Sequence, residues 1–245
     1  ERAVAAGAVD LVIDAIRMHP ASAEVQEHGA AALRLLADAT EDSFACAARA
    51  DVVVALLEGM RLSPAVVRVQ AFAVAVLCLI LCDAETAECA EAFVSHSGLS
   101  LVVEALRSHH SSAMLQENGY AMLRHIIQQH PINRESFVGL RGVELVLDAM
   151  HVHKSLVRVQ VYGSAILHDV ARESEGLRGK IGVLGGIELV ARALRAYIDE
   201  VSMQECGLAA LQALTFYCTE NIEAAASAAS IELVIAAMRA HEAAE

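Results

Sequence analysis

Tryptophan is absent from this chain of 245 residues, proline occurs three times, and aromatic residues make up only 4% of the sequence. The hydrophobic fraction of 56% therefore consists mostly of Ala, Val, Leu and Ile. A β-sandwich or β-barrel normally carries more aromatic residues and many more Gly and Pro turns, so this composition argues against an all-β fold. Disorder is also excluded, because the chain can bury far more apolar surface than a disordered segment does.

Basic residues are few as well: 18 Lys and Arg stand against 31 Asp and Glu, which gives a net charge of −13. Binding to a nucleic-acid backbone requires clustered Lys and Arg, so nucleic acid is not an expected partner. The acidic balance permits a basic protein or peptide as partner. The simpler interpretation is that an acidic surface keeps an apolar-rich protein in solution.

Long hydrophobic runs are missing too. The longest, Ala71–Cys82, has twelve residues, whereas a membrane-spanning helix needs about 20. We therefore predict a buried helix there and no membrane span. The six cysteines contain no C-x-x-C pair and are too sparse for a disulfide scaffold. We predict reduced thiols, mostly in the core, and hence an intracellular, cytoplasmic protein.

An internal repeat organises the chain. Segments such as AVDLVIDAIR, GLSLVVEALR and GIELVARALR recur, and their spacings are 44, 46, 44, 44 and 44 residues. They end at Arg17, Arg61, Arg107, His151, Arg195 and Arg239. Apolar residues three and four positions apart place one face of a helix in each segment. A longer amphipathic helix follows and opens at a recurring glutamine: Gln26, Gln70, Gln116, Gln160 and Gln204.

A short third segment completes each repeat and is also predicted to be helical. The predicted ranges are Glu41–Arg49, Glu85–His96, Asn133–Leu140, Glu175–Val183 and Glu220–Ser230. Glycine recurs at two registers. Gly7, Gly98, Gly142 and Gly186 precede the second helix, where we expect a sharp turn. Gly29, Gly119, Gly163 and Gly207 follow the glutamine by three residues, which predicts a helix contact too close for a Cβ.

The pattern G-[GA]-[IV]-x-L-[VL]-x-x-[ALM]-[LM]-R…V-Q-E-x-[GA]-x-x-A-L resembles the armadillo repeat. It is similar to the armadillo-like arrays of ROCO-type leucine-rich-repeat kinases and of many protist and algal proteins. The resemblance implies an all-α fold, a right-handed α-solenoid of three-helix repeats forming one domain over residues 1–245. It would contain about five full repeats, with partial repeats at both ends.

Both ends of the array look uncapped. We expect residues 1–6 to be the end of a short first helix and Ser230–His241 to be the second helix of a sixth repeat. Terminal repeats of a complete array carry a polar outer face. The sequence is therefore predicted to be an excerpt of a longer array, or to be covered at its open ends by further repeats or subunits.

The face of the longer helices that open at the repeat glutamine, which the armadillo resemblance makes the third helix of each repeat, is the expected partner-binding surface. In importin-like and catenin-like armadillo proteins this helix carries a Trp and an Asn four residues apart, which clamp an extended peptide. Here alanine occupies the Trp position in all five repeats, so that kind of groove is not expected. The face carries instead Glu27, Arg34, Glu117, Arg124, His125, His168, Asp169, Glu205 and Gln212. An ordinary solvated surface is the alternative interpretation.

Two consecutive repeats also differ in a way that predicts an ion pair. A glutamate follows the repeat glutamine at Glu27 and Glu117, whereas an arginine precedes it by two residues at Arg68 and Arg158. Because the two positions differ by about one helical turn, we predict that one such Glu pairs with one such Arg across repeats. The alternative is that both are solvated.

No motif for catalysis or for a nucleotide is present: H-E-x-x-H, G-x-S-x-G and G-x-x-x-x-G-K-[ST] are all missing. Four of the eleven histidines, His19, His109, His153 and His241, share one position at the end of the second helix, where they would cap carbonyls. We therefore predict no catalytic residue, no metal and no cofactor, and a protein-interaction scaffold that is not an enzyme. Two alternatives stay open: an architectural subunit of a large assembly, and a regulatory arm of an enzyme whose catalytic domain lies outside this chain.

Overall fold

The chain is all-α. A computed structural model describes residues 2–82 and 87–228, with side chains from Gly7 onward, and these residues form fifteen helices and no strand. The helices are α1 (Arg2–Met18), α2 (Ala23–Ala39), α3 (Glu41–Ala47), α4 (Ala50–Leu62), α5 (Val67–Leu81), α6 (Ala87–Ser95), α7 (Gly98–Ser108), α8 (Ala113–Gln129), α9 (Pro131–Gly139), α10 (Gly142–Val152), α11 (Val157–Ala171), α12 (Glu175–Val183), α13 (Gly186–Ala196), α14 (Val201–Thr215) and α15 (Thr219–Ser227). The short third segments are confirmed as helices α3, α6, α9, α12 and α15. The predicted helix Ser230–His241 lies outside the described residues.

Contacts divide the chain into two compact units, Glu1–His125 (the N-terminal unit) and Ile126–Glu245 (the C-terminal unit). The same packing recurs inside each. In the N-terminal unit α1 packs on α2, α4 packs on α5, and α2 packs on α5. In the C-terminal unit α10 packs on α11, α13 packs on α14, and α11 packs on α14. The long helices that open at the repeat glutamine therefore lie next to each other in each unit.

The repeat glutamine joins the second helix of a repeat to the long helix that follows. In all five cases its Nε2 donates to two backbone carbonyls, ten and seven residues earlier, at distances of 2.8–3.3 Å. For Gln160 the acceptors are Met150 and His153, at the end of α10. All five glutamines are buried. The last carbonyls of a helix have no partner within that helix, so the glutamine amide satisfies them from the next one.

Glycine at the register three residues after the glutamine is confirmed as a close contact. A Cβ added at Gly119 would lie 2.6 Å from Cδ2 of Leu106, and one at Gly207 would lie 2.6 Å from Cδ2 of Leu194. Gly29 and Gly163 meet Ile16 and Met150 in the same way. In these four repeats the position therefore excludes a side chain because a large residue of the second helix occupies the space, whereas the second repeat carries the small residue Ala73 here.

The prediction that the glycines before the second helix form a sharp turn needs a correction. The turn before the second helix is made by the preceding residue, since Ser97, Arg141 and Gly185 have φ values of +58°, +57° and +80°. Gly98 and Gly142 begin helices and are small because Phe93 and Phe137 pack directly against them. At Gly7 the prediction of a turn is wrong. Helix α1 runs from Arg2 to Met18 without a break, so the described residues 2–6 belong to it and do not end a separate short helix.

The apolar run Ala71–Cys82, predicted as a buried helix, lies in helix α5 up to Leu81, and most of its residues are buried; Cys82 follows the helix and is exposed. Within the described residues, no single helix is both long and apolar enough to cross a membrane. One pair of helices, α6 and α7, passes that test together by length and composition, but the pair is bent by 71°.

A charged pair ties α10 to α12 in the C-terminal unit. Lys180 Nζ lies 3.0 Å from Glu144 Oε1, and Arg141 Nε lies 3.5 Å from the same oxygen. Burial acts to raise the pKa of Glu144, but hydrogen bonds from its own backbone N–H and from Lys180, with the charges of Lys180 and Arg141, hold this pKa below its ordinary value of 4.5. The folded state therefore favours the ionised carboxylate.

We expect this pair to make stability depend on acidity. Because the folded-state pKa of Glu144 is lowered, its contribution is complete above about pH 4.5 and is lost as the pH falls through the folded value. Wild type should exceed Glu144→Gln in free energy of unfolding at neutral pH, and the difference should shrink at about pH 3. Urea unfolding at both pH values measures it. Glu188→Gln, at the equivalent exposed position of the next repeat, is the control, and a gap of constant size would contradict the assignment.

Candidate functional site

The predicted binding residues fall into both units. Glu27 and Arg34 lie on α2, and Glu117, Arg124 and His125 lie on α8. The predicted ion pair is confirmed at Glu27, whose Oε1 lies 2.9 Å from Nε of Arg68. The Glu27 side chain is thereby mostly enclosed, with 14% of its surface exposed.

The remaining predicted residues of the N-terminal unit differ in how open they are. Arg34 and Glu117 are half-buried and make no hydrogen bond or ion pair to any described residue. Arg124 is also half-buried, and its Nε is enclosed without a hydrogen-bond partner among the described atoms. The side chains of Arg34 and Glu117 are therefore accessible to a partner, whereas the Nε atom of Arg124 is enclosed within the protein.

In the C-terminal unit the structure brings three of the four predicted residues together. His168 and Asp169 lie on α11, and Gln212 lies on the neighbouring α14. His168 and Gln212 line one cleft, and the carboxylate of Asp169 contacts the ring of His168. Glu205 lies seven residues before Gln212 on α14 and is exposed, but it does not line the cleft.

Asp169 is a buried anchor. Its Oδ2 accepts a hydrogen bond from Nε2 of Gln128 at 3.0 Å, and its Oδ1 lies 3.1 Å from Nδ1 of His168. Only 7% of the residue is exposed. Groups of the protein itself therefore engage this carboxylate. It fixes the ring of His168 and leaves the other ring nitrogen available to a ligand.

A second set of charges flanks this anchor. Arg134 forms a two-pronged pair with Glu173 at 2.8 and 3.1 Å, and Arg172 Nη2 lies 3.2 Å from Glu173 Oε1. Such two-pronged pairs restrict geometry as well as adding attraction. Glu173 therefore holds Arg172 at the edge of the cleft, where 60% of its side chain remains exposed.

The cleft itself is small and open. Its lining is formed by His168, Arg172, Gln212, Ala213 and Phe216, and its volume is about 220 Å³. Typical pockets for small ligands measure about 300–1,000 Å³. The space therefore suits one or two side chains of a partner better than a complete cofactor.

Two exposed aromatic residues adjoin the cleft, and the sequence reasoning missed them. Phe216 and Tyr217 are 56% and 83% exposed, and their rings meet edge to face with centroids 4.5 Å apart. The guanidinium of Arg178 lies 5.8 Å from the Phe216 ring centre. A detectable signal was the adjacent pair Phe-Tyr at the end of a long helix, in a chain that has nine aromatic residues in total.

The cleft brings several kinds of contact group together. Among residues 2–82 and 87–228, no group of three or more His, Cys, Asp and Glu side chains is arranged to hold a metal ion. The cleft combines an aromatic ring, a fixed imidazole, a cation and an amide, which are typical contacts of a protein interface.

Two solved structures, both crystal structures of engineered proteins, resemble this chain. One has a TM-score of 0.71 at 20% identity, and covers 94% of this chain and 88% of its own. The likeness shows the fold alone. The other has a TM-score of 0.70 at 17% identity, and covers 96% of this chain and 97% of its own. No family model matches the sequence, and no curated protein matches it.

Proposed function

We propose that this protein is an armadillo-like, right-handed α-solenoid that serves as a non-catalytic scaffold and binds a partner protein along its long-helix face. The recurrence of one helix joint in five repeats supports the solenoid. The adjacent long helices α2 and α5, and α11 and α14, support a continuous face inside each unit. Solenoids commonly use such faces for binding.

The cleft between α11 and α14 carries the proposal. An exposed Phe216 beside His168, Arg172 and Gln212 offers an apolar contact together with groups that attract a carboxylate. Interface hot spots are typically aromatic and arginine residues next to small pockets. The partner segment would therefore place a short apolar side chain and an acidic group in the cleft. The net charge of −13 favours a partner that is basic elsewhere.

A peptide-display selection tests this function. A random peptide library is panned against the chain, and the recovered peptides are titrated with purified variants by fluorescence anisotropy. We expect recovered peptides to be enriched in an acidic residue next to an aliphatic one. Phe216→Ser should weaken their binding about tenfold or more, because hot-spot truncations cost about 2 kcal/mol.

The matched control is Val183→Ser, which removes an apolar side chain that is 89% exposed on α12. It should leave peptide binding unchanged. Equal binding by wild type and by both Phe216→Ser and Gln212→Ala would show that the cleft is not the binding surface. Circular dichroism of each variant confirms that the helices are intact.

We also propose that the protein acts in a reducing, intracellular compartment, such as the cytoplasm. All six cysteines lie in the described part of the chain, and no disulfide joins any two of them. Cys46, Cys89 and Cys218 are buried among core side chains, where a reduced thiol acts as a small apolar group.

A further inference from the structure

A shallow groove lies between α1 and α2 in the N-terminal unit. Its volume is about 460 Å³, and its lining is mostly apolar. The lining includes Leu11, Val12, Ala15, Val25 and Ala32, with Glu24 beside them. Leu11 is 73% exposed. A leucine this open, within a continuous apolar groove, is typical of a surface that another element covers.

The same chain shows what covers such a groove one repeat later. Adding 44 to each residue number converts the lining into Ala55, Leu56, Gly59, Val69 and Val76, and all five are buried. Helix α2 packs against α4 and α5, the two helices that carry these residues. The side chain of Gln26 on α2 comes up against Gly59. The occupant of the equivalent face is therefore a long amphipathic helix.

The C-terminal unit repeats this arrangement independently. The equivalents of Val12, Ala15, Val25 and Ala32 are Val190, Ala193, Met203 and Ala210, and all four are buried. Helix α11 packs against α13 and α14, which carry them. Two separate junctions thus use the same kind of helix to fill this face.

The groove differs in charge from the equivalent face of α4 and α5, which α2 covers. Arg68 is the equivalent of Glu24, and its Nε pairs with Oε1 of Glu27 on the covering helix at 2.9 Å. At the groove the sign is reversed, because Glu24 is exposed and makes no hydrogen bond or ion pair to a described residue. An incoming helix would complement Glu24 if it carried Lys or Arg where α2 carries Glu27.

We propose that this groove binds an amphipathic helix of another protein, in the position that α2 takes against α5, with a basic residue opposite Glu24. A second copy of α2 does not fit this description, because it would bring its Glu27 against Glu24. The groove lies in the N-terminal unit and the Phe216 cleft lies in the C-terminal unit. The two proposals can therefore fail separately.

Two synthetic peptides test the proposal directly. Both contain residues 22–40 with a fluorescent label; one keeps Glu27 and the other carries Glu27→Lys. The full chain is titrated into each, and binding is followed by anisotropy. We expect the lysine peptide to bind about three- to fivefold more tightly, the size of one exposed ion pair. The Glu24→Lys variant of the protein should reverse that preference.

A surface variant tests the apolar part. Leu11→Asp should weaken the binding of both peptides about tenfold or more, because a charged side chain replaces a leucine that the incoming helix would bury. Leu62→Asp, at a 57% exposed leucine on α4, is the matched control and should change nothing. Equal affinities with no reversal at Glu24→Lys would overturn the proposal.

Three further outcomes would also overturn it. These are an unchanged affinity in Leu11→Asp, no binding of either peptide at millimolar protein, and self-association of the chain that Leu11→Asp abolishes. The last outcome, seen by sedimentation, would identify a second copy as the occupant. None of these results would alter peptide binding at the Phe216 cleft.

Discussion

Gly119→Leu is expected to lower the free energy of unfolding by about 3 kcal/mol or more, the upper part of the range for overpacking a tight core. Gly119 is buried on α8, and even a Cβ at this position would lie 2.6 Å from Cδ2 and 3.0 Å from Cδ1 of Leu106. A leucine adds three further carbons in the same direction. The helices α7 and α8 must then separate, or Leu106 must leave its place in the core.

Gly7→Leu is the matched control, since it makes the same substitution within a helix of the same unit. Gly7 is exposed on α1, and a Cβ there would have nothing within 4 Å. Leucine favours helix more than glycine by about 0.5–1 kcal/mol, so this variant should be slightly more stable than wild type. Urea unfolding followed by circular dichroism compares the two, and similar midpoints would refute the close contact at Gly119.

Gln160→Glu is expected to be as damaging as Gly119→Leu, although the two side chains have nearly the same shape. Nε2 of Gln160 donates to the carbonyl oxygens of Met150 at 3.0 Å and of His153 at 2.9 Å. A carboxylate cannot donate to either and would be buried against both. Each buried group left without its partner costs about 1–3 kcal/mol, and the enclosed charge adds to this, so we expect a loss of about 3 kcal/mol or more.

The pH dependence of this variant identifies the cause. A protonated acid can still donate one hydrogen bond, so the deficit of Gln160→Glu relative to wild type should shrink as the pH falls. Gln212→Glu, the same change at an exposed position on α14, should stay within about 0.5 kcal/mol of wild type. A deficit that is the same at acid and neutral pH would point to packing rather than to the lost donor.

Much of the fold can be predicted from the sequence because the same pattern occurs in several repeats, so a helix that one segment predicts weakly is supported by the equivalent segments. Helix α12 begins and ends at the predicted residues, Glu175 and Val183. The glycine at 119 and the pair between Glu27 and Arg68 also follow from register alone. A feature that recurs at a fixed position in several repeats points to a contact that also recurs, and such contacts depend little on the rest of the chain.

Features that occur once are the ones that sequence reasoning misses. The unbroken course of α1 through Gly7 has no counterpart in the later described repeats, where the chain is interrupted by extended backbone at Arg49 or by positive φ at Ser97, Arg141 and Gly185. The exposed pair Phe216 and Tyr217 also belongs to one repeat only. Asp169 is predicted as a surface residue for a partner, but it is buried and accepts a hydrogen bond from Gln128, which lies 41 positions away. Binding surfaces are built from such departures, so a repeat frame predicts the framework better than the site.

The glutamine joint has a consequence for how freely this protein can change. Each of the five amides recognises only main-chain carbonyls, which every residue type supplies. Backbone atoms thus help to set the angle between a second helix and its long helix, so the surrounding side chains can vary as long as the small residue three positions after the glutamine and its large neighbour are kept. Whole repeats should therefore be exchangeable: residues 142–185, moved to another site in the array, would still contain their own glutamine joint. The surface residues of such a repeat could differ from those of its neighbours.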